Sequence, residues 1–353
     1  MSRQLWVAAP LADRLDDEKV LKAVGESLPG GAATRKDADY WQWKHRTNPA
    51  GQSLGYLAET HDAAKVVGVR AFMRWRMQAP QGDRYDCVRA VDTVTDPGFR
   101  GQGIFSKLTH MALTEAEARD VALVFNTPNA NSAPGYLKMA WQVVGRLPVY
   151  IKPISYFKLA GAVLNRHRRA ARGDAAEEQE FGIAELPDWR AAVQLPGFLE
   201  MAESHEADRV CQGLRTLRDE PYLAWRYGQH PHVRYRVFCL RNQAGVVEAA
   251  AVMRANIRYG LKELVLTELW SQNASPALMQ RCLSRLVKRV DADYLIAHAR
   301  QGSTELKALK RGMFLPAYKQ GIELYSRPIA LNALGVLGSS QGWDLSLGDL
   351  EMF

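Results

Sequence analysis

Apolar and polar positions recur along this chain with two different periods, and the switches between them mark its elements. From about residue 11 to 27, Leu15, Val20, Leu21 and Val24 fall at helical spacing, which predicts an amphipathic helix. Tyr56 opens a strand, a turn follows around His61-Asp62, and Val66 to Met73 returns, which predicts a hairpin. A third strand is predicted from Asp86 to Thr95, where β-branched residues are dense. Asp96-Pro97-Gly98 stops it, because proline lacks a donor and glycine turns freely. Ile104, Phe105, Leu108, Met111 and Ala112 then predict a helix from Ile104 to Arg119. A strand from Val121 to Asn126 follows, and a helix and strand between Leu137 and Pro153 close the series.

The same order of elements returns downstream. The string Tyr40-Trp41-Gln42-Trp43-Lys44-His45-Arg46-Thr47-Asn48-Pro49 has a counterpart in Tyr222-Leu223-Ala224-Trp225-Arg226-Tyr227-Gly228-Gln229-His230-Pro231. Tyrosine, tryptophan, a basic residue, a ring and proline stand at equal offsets in both. A hairpin follows again, from Tyr235 through Asn242-Gln243-Ala244-Gly245 to Val246–Met253, then a strand at Glu263 to Trp270. A helix at Pro276 to Val290, a strand at Asp293 to His298 and a closing helix and strand up to Pro328 complete the parallel. We read two copies of one α/β unit, residues 1–155 and 181–330, joined by a charged linker, 156–180, and followed by a tail, 331–353. Because both copies carry the Tyr-x-x-Trp string, it reads as core packing with a cation at its edge. The tail reads as a loop anchored by Trp343.

Composition narrows the class. At 353 residues the chain exceeds one small domain, and 47% hydrophobic with 24% charged residues describes a globular protein. No apolar run approaches the roughly 20 residues of a membrane span, and the N-terminus lacks the apolar core of a secretory signal. Cys87, Cys211, Cys239 and Cys282 are widely spaced, which predicts reduced, mostly buried thiols, no metal site and a cytoplasmic location. The net charge of +8 favours anionic partners without choosing among them. Residues 156–172 turn from apolar to strongly basic, ending in Asn165-Arg166-His167-Arg168-Arg169. They read as a solvated linker helix, with peripheral contact to a membrane or glycolipid as the sharper alternative.

The chemistry concentrates between Val91 and Phe105. A strand, a basic glycine turn and a helix start place backbone N–H groups beside the positive end of a helix dipole, which suits a diphosphate. Gly101 and Gly103 open conformations closed to other residues. The second copy has Ser271-Gln272-Asn273-Ala274-Ser275-Pro276 at this place, without glycines or arginine.

Arg100-Gly101-Gln102-Gly103-Ile104-Phe105 resembles the acetyl-CoA signature of the GNAT (GCN5-related N-acetyltransferase) superfamily, Arg/Gln-x-x-Gly-x-Gly/Ala, with Phe105 in place of the final small residue. Asn129 and the run Tyr136-Leu137-Lys138-Met139-Ala140-Trp141 resemble the later motif of that family, an asparagine followed by Tyr-x-Lys-x-Gly-Phe. Together with Tyr-x-x-Trp-Lys, these strings are similar to GNAT members of surface-polysaccharide biosynthesis.

The resemblance implies two tandem GNAT-like domains, each a mixed, mostly antiparallel sheet flanked by helices, with acetyl-CoA or another acyl-CoA held only by the first. It implies a pyrophosphate site at Arg100, Gly101, Gln102, Gly103 and Ile104, and an oxyanion donor on the backbone of Val94 or Thr95. It also implies Asn129 facing the CoA arm and Tyr136 as the acid that protonates the leaving thiolate. Asp92 is the local carboxylate able to take the proton of an attacking amine, with His45 and His110 as weaker candidates. The implied reaction is direct N-acylation of a small amine in a ternary complex. The implied acceptor is an amino sugar or related surface-glycan precursor, and no nucleic-acid partner is expected. The alternatives are an aminoacyltransferase drawing on aminoacyl-tRNA and a non-catalytic CoA-binding or assembly protein.

Overall fold

The computed structural model describes residues 5–28, 35–159, 182–209, 212–330 and 339–350. Nearly all of the charged linker, Cys211 and residues 331–338 of the tail lie outside the described residues. The first strands are β1 (Trp6–Pro10), β2 (Leu54–Thr60), β3 (Val66–Gln78), β4 (Arg84–Thr95), β5 (Leu123–Asn126) and β6 (Gln142–Pro153). A short β7 (Arg215–Thr216) precedes β8 (Arg236–Arg241), β9 (Val247–Arg258), β10 (Leu261–Ser271), β11 (Tyr294–His298) and β12 (Leu315–Pro328). The helices that matter for the site are α1 (Glu18–Ser27), α2 (Ala38–His45), α3 (Ile104–Ala118) and α4 (Ala133–Lys138). Later come α5 (Phe198–Asp208), α6 (Glu220–Leu223), α7 (Pro276–Val287), α8 (Thr304–Arg311) and α9 (Leu347–Leu350).

Local chemistry sets the helix starts. The first predicted helix begins only at Glu18, because Asp17 accepts from the Lys19 N–H and caps it there. Asp37 caps α2 by accepting from the Tyr40 N–H, and Asp219 caps α6 from the Tyr222 N–H in the same way. The repeated string therefore begins each time with an aspartate that turns the chain into a helix.

All twelve strands join one sheet, mostly antiparallel, in the order β1-β2-β3-β4-β5-β12-β6-β11-β10-β9-β8, with β7 attached to β3. The two closing strands have changed places. β12 runs antiparallel to β5, with Tyr325 opposite Asn126, and β6 runs antiparallel to β11, with Ile151 opposite Ile296. At the centre β6 and β12 pair with each other. Each half thus supplies the last strand of the other half's sheet, a step that no single-copy pattern of apolar residues reveals.

The largest core spans both halves and holds Tyr40, Trp43, Trp75, Trp225, Trp270 and Trp343. Trp43 and Trp225 stack at 4.7 Å between ring centroids with an interplanar angle of 14°. Each indole N–H donates to the other's backbone carbonyl, at 3.0 and 2.8 Å. The repeated string is the joint between the halves, which agrees with its reading as packing. The tail departs from its reading as a loop: Trp343 is fully buried, and α9 packs against the body with Leu347, Asp349 and Leu350 inside. We expect Trp43→Ala to destabilise the fold by about 3–5 kcal/mol. Adding Trp225→Ala should then cost less than it does alone, because the stacked rings are coupled. Urea unfolding of the two single variants and the double variant measures both effects.

Candidate functional site

β4 and β5 run parallel but share only three residue pairs, Cys87–Leu123, Val88–Val124 and Arg89–Phe125. Beyond Arg89, β4 continues to Thr95 paired only with β3, so its other edge opens into a wedge. A bulge between Arg70 and Ala71 on β3 leaves Asp92 as the extra residue of β4, with φ of 37°. Backbone direction alternates along β4. Asp96 N–H donates to the Val67 carbonyl at 2.9 Å, so by register Val94 also faces β3. The N–H groups of Thr93 and Thr95 consequently point into the wedge. Of the two oxyanion donors expected from the sequence, the geometry leaves Thr95 available and commits Val94 to the ladder.

The glycine loop lies at the foot of this wedge. Asp96 Oδ1 accepts from the Gly98 N–H at 2.8 Å and fixes the turn. Gly101 and Gly103 have φ of 78° and 76°, a region that L side chains rarely adopt. Arg100, Gly101, Gln102 and Gly103 are exposed. The first hydrogen bond of α3 runs from the Lys107 N–H to the Gly103 carbonyl, so the amides at the head of α3, Ile104 among them, have no partner within the helix. These residues form an open anion cradle.

Phe105, where the signature has a small residue, packs on Gly135, whose Cβ would come 2.7 Å from the ring. It also meets Tyr136 edge to face at 5.5 Å. The missing side chain at Gly135 makes room for the bulk of Phe105, and the pair pins the starts of α3 and α4 together. Tyr136 is buried between Phe105, Trp141 and the guanidinium of Arg70. Asn129 uses its Oδ1 to accept from the N–H groups of Asn131 and Ser132, at 3.1 and 3.0 Å, and so shapes the entry to α4. His110 is exposed on α3, with Nδ1 2.7 Å from the Ser106 carbonyl.

Two side chains that the sequence reading passed over belong to this site. Arg70 of β3 is fully buried, and Asn126 at the end of β5 is buried with Oδ1 unpartnered. Both fall on the face of the sheet that carries Tyr136 and α3. Neither stands in a recognisable motif. The available signal was an arginine directly after the valine-rich start of β3.

Asp92 takes a different part from the one expected. It lies 2.6 Å from Lys44 Nζ, 3.2 Å from Lys36 Nζ and 2.9 Å from His45 Nε2, with 4% of its side chain exposed. Burial would raise its pKa, but Lys36, Lys44 and His45 hold it well below the usual carboxylate range. A carboxylate so tightly held is a poor base, and it has no open edge for an amine. A related arrangement stands beside the bulge of β10, whose extra residue is Thr267. Glu268 of β10 pairs with Arg218 at 3.2 Å and accepts from the Tyr227 hydroxyl at 2.7 Å. Lys36 and Arg218, and likewise His45 and Tyr227, stand at matching offsets from the repeated tryptophans. A device shared by a half without the glycine loop is structural.

The second half has its own wedge, since β10 and β11 share only Glu263–Tyr294, Leu264–Leu295 and Val265–Ile296. The tail lies along it: Asp344, Leu345 and Ser346 line a cleft there with Glu268, His298 and Arg300. Asp344 N–H donates to the Leu214 carbonyl at 2.9 Å. Among the described residues, no helix is long and apolar enough to cross a membrane.

Comparison with known proteins agrees with this geometry. The family model described as an acetyltransferase (GNAT) domain matches residues 26–144. No curated protein matches the sequence. Among solved structures, a GCN5-related N-acetyltransferase from Anabaena variabilis aligns with a TM-score of 0.59 at 12% identity, covering 92% of this chain and 73% of that one. A probable N-acyltransferase from Enterococcus faecalis aligns at 0.57 and 12%, with coverages of 92% and 73%. Saccharomyces cerevisiae N-myristoyltransferase with bound myristoyl-CoA aligns at 0.54 and 11%, with coverages of 92% and 79%. At such identities these likenesses show the fold. Residues 26–144 are thus similar to a GNAT acetyltransferase domain, and the whole sheet shares the fold of these solved structures.

The buried cluster has a pH signature. Burial outweighs the pull of Asp92 and brings the His45 pKa down to about 4, so at neutral pH Nε2–H donates to Asp92 and Nδ1 accepts from the Ser53 hydroxyl. A histidine with a lowered folded pKa stabilises the fold above its unfolded value, about 6.5. That contribution is lost as pH falls from there toward 4 and amounts to about 3 kcal/mol. Denaturant melts at pH 6.5 and 4.5 should show wild type losing more stability on acidification than His45→Gln.

Proposed function

We propose that this protein is an acyl-CoA-dependent N-acyltransferase built from two GNAT-like units, with its single active site at the wedge between β4 and β5. The observation that carries this reading is the pairing of an exposed loop, with Gly101 and Gly103 in left-handed conformations, with an open β4 edge that presents the Thr95 N–H. The loop amides and Arg100 suit a pyrophosphate, and the unpartnered Asn126 Oδ1 suits an amide N–H of a pantetheine arm. The tandem reading is supported by the repeated element order, the Trp43–Trp225 joint and the carboxylates beside the two bulges. That only the first unit acts is supported by the second wedge, which has no glycine loop and is bordered by residues 344–346.

In the proposed reaction a neutral amine attacks the thioester carbonyl. A C–N bond forms, the C–S bond breaks, and the carbonyl oxygen carries the developing charge toward the Thr95 N–H. Tyr136 gives its hydroxyl proton to the leaving thiolate. An alkyl ammonium of pKa near 10.4 is neutral in only about one part in a few thousand at pH 7. With Asp92 committed to Lys36, Lys44 and His45, water at the open wedge takes the proton of the amine. The acceptor, an amino sugar or related precursor of surface glycans, rests on the resemblance of the sequence motifs.

Calorimetry with acetyl-CoA tests the reading. Wild type should bind it, and a folded Gly101→Asp, Gly103→Asp double variant should not, because the carboxylates repel a pyrophosphate. No binding by folded wild type would overturn the proposal in favour of an aminoacyl-tRNA donor or a non-catalytic assembly role. Tyr136→Phe should lower kcat about a hundredfold or more at unchanged acetyl-CoA affinity. An unchanged kcat would remove Tyr136 from the chemistry.

A further inference from the structure

Arg70 sits in the middle of β3 with no solvent exposure and no carboxylate beside it among the described residues. Three other buried arginines stand beside acids, while Arg89 and Arg226 donate to backbone carbonyls and hydroxyls. Arg218 has Asp349 at 2.6 Å and Glu268 at 3.2 Å, Arg209 has Asp344 at 2.9 Å, and Arg300 has Asp344 at 3.9 Å. Arg70 instead donates from Nη1 to the Thr93 hydroxyl and lies against three rings, 4.9 Å from Phe72, 5.2 Å from Tyr136 and 5.5 Å from Phe105. The rings attract the cation but accept no strong hydrogen bond. Nε and Nη2 are left buried and unpartnered.

Those two nitrogens share one edge of the guanidinium. Their N–H bonds run parallel and match the two oxygens of a carboxylate. A buried cation with an empty fork is unfavourable unless an anion completes it. The place is specific too. Thr93, which holds Nη1, belongs to the edge of β4 that opens into the wedge, and Tyr136 and Phe105 head α4 and α3 at its mouth.

We infer that Arg70 receives a carboxylate of one of the two substrates, and so makes this a transferase for a carboxylate-bearing partner. The carboxylate belongs either to the far end of a dicarboxylic acyl-CoA or to the amine acceptor. This rests on the acyl-CoA reading of the same site. Arg70 is a specificity-determining residue here, beside the rings of Phe105 and Tyr136.

The test uses matched pairs on the full chain. One arm compares succinyl-CoA with acetyl-CoA by calorimetry. The other compares 2-amino-2-deoxyglucuronate with glucosamine as acceptors of acetyl-CoA, read by release of free thiol. In one arm wild type should favour the carboxylate-bearing member by about tenfold or more. Arg70→Met should bring that ratio close to one, and Arg70→Lys, which keeps the charge without the fork, should reduce it. Arg70→Lys carries the comparison should Arg70→Met not fold. A ratio near one in both arms for wild type, or a preference that survives loss of the guanidinium, overturns the inference. Free succinate separates the two readings. If wild type fails to bind acetyl-CoA but succinate raises its Tm and not that of the Arg70 variants, the acyl-CoA reading falls and the carboxylate site stands. If succinate raises neither, both fall.

Discussion

The antiparallel pairing of β6 with β12 is the contact on which the rest of this molecule depends. Every strand in a sheet must find partners for its backbone N–H and C=O groups. β5 finds its second neighbour in β12 and β11 finds its own in β6, so neither half completes its sheet from its own sequence. The Trp43–Trp225 stack, with its reciprocal hydrogen bonds, joins the halves a second time within the core. Exchange of this kind fixes one half against the other and holds both wedges at set positions in one sheet.

The two bulges hold carboxylates in different electrostatic settings. Each places a carboxylate, Asp92 or Glu268, over the helix that follows an aspartate cap. At Asp92, two lysines and a histidine more than offset burial, and the group stays ionised. At Glu268, burial prevails over the pull of Arg218 and raises the pKa. The two settings thus hold a firm anion in one half and a weaker acid in the other. Both hold the core together, since removing one member of a buried ionic cluster strands the others.

The halves part company at their wedges. The first keeps an open edge above an exposed glycine loop, with Arg70, Asn126 and Tyr136 beneath it. The second is bordered by the tail, whose Asp344 and Asp349 pair with Arg209 and Arg218. The tail also reaches the first half, where the Arg89 guanidinium donates to the carbonyls of Asp349 and Leu350 and to the Thr127 hydroxyl. One segment therefore borders the second wedge and also bonds to Arg89 of β4.

By itself the sequence determined the elements that depend on near neighbours. Period and turn residues gave the type and order of most strands and helices, because capping, glycine turns and apolar alternation act over a handful of residues, though the first helix and the two closing strands start seven to nine residues from where they were expected. The turn glycines Gly101 and Gly103 were legible for the same reason, as was the packing role of Trp43 and Trp225. Only the tertiary structure decided the exchange of β6 and β12, since either strand pattern satisfies either neighbour equally well. It alone decided that Asp92 is surrounded by Lys36, Lys44 and His45, that Val94 turns its N–H toward β3, and that Arg70 is left with an empty fork. These depend on which groups face each other across strands and between halves, and on how much water remains between them. Neither is written in the spacing of residues along the chain.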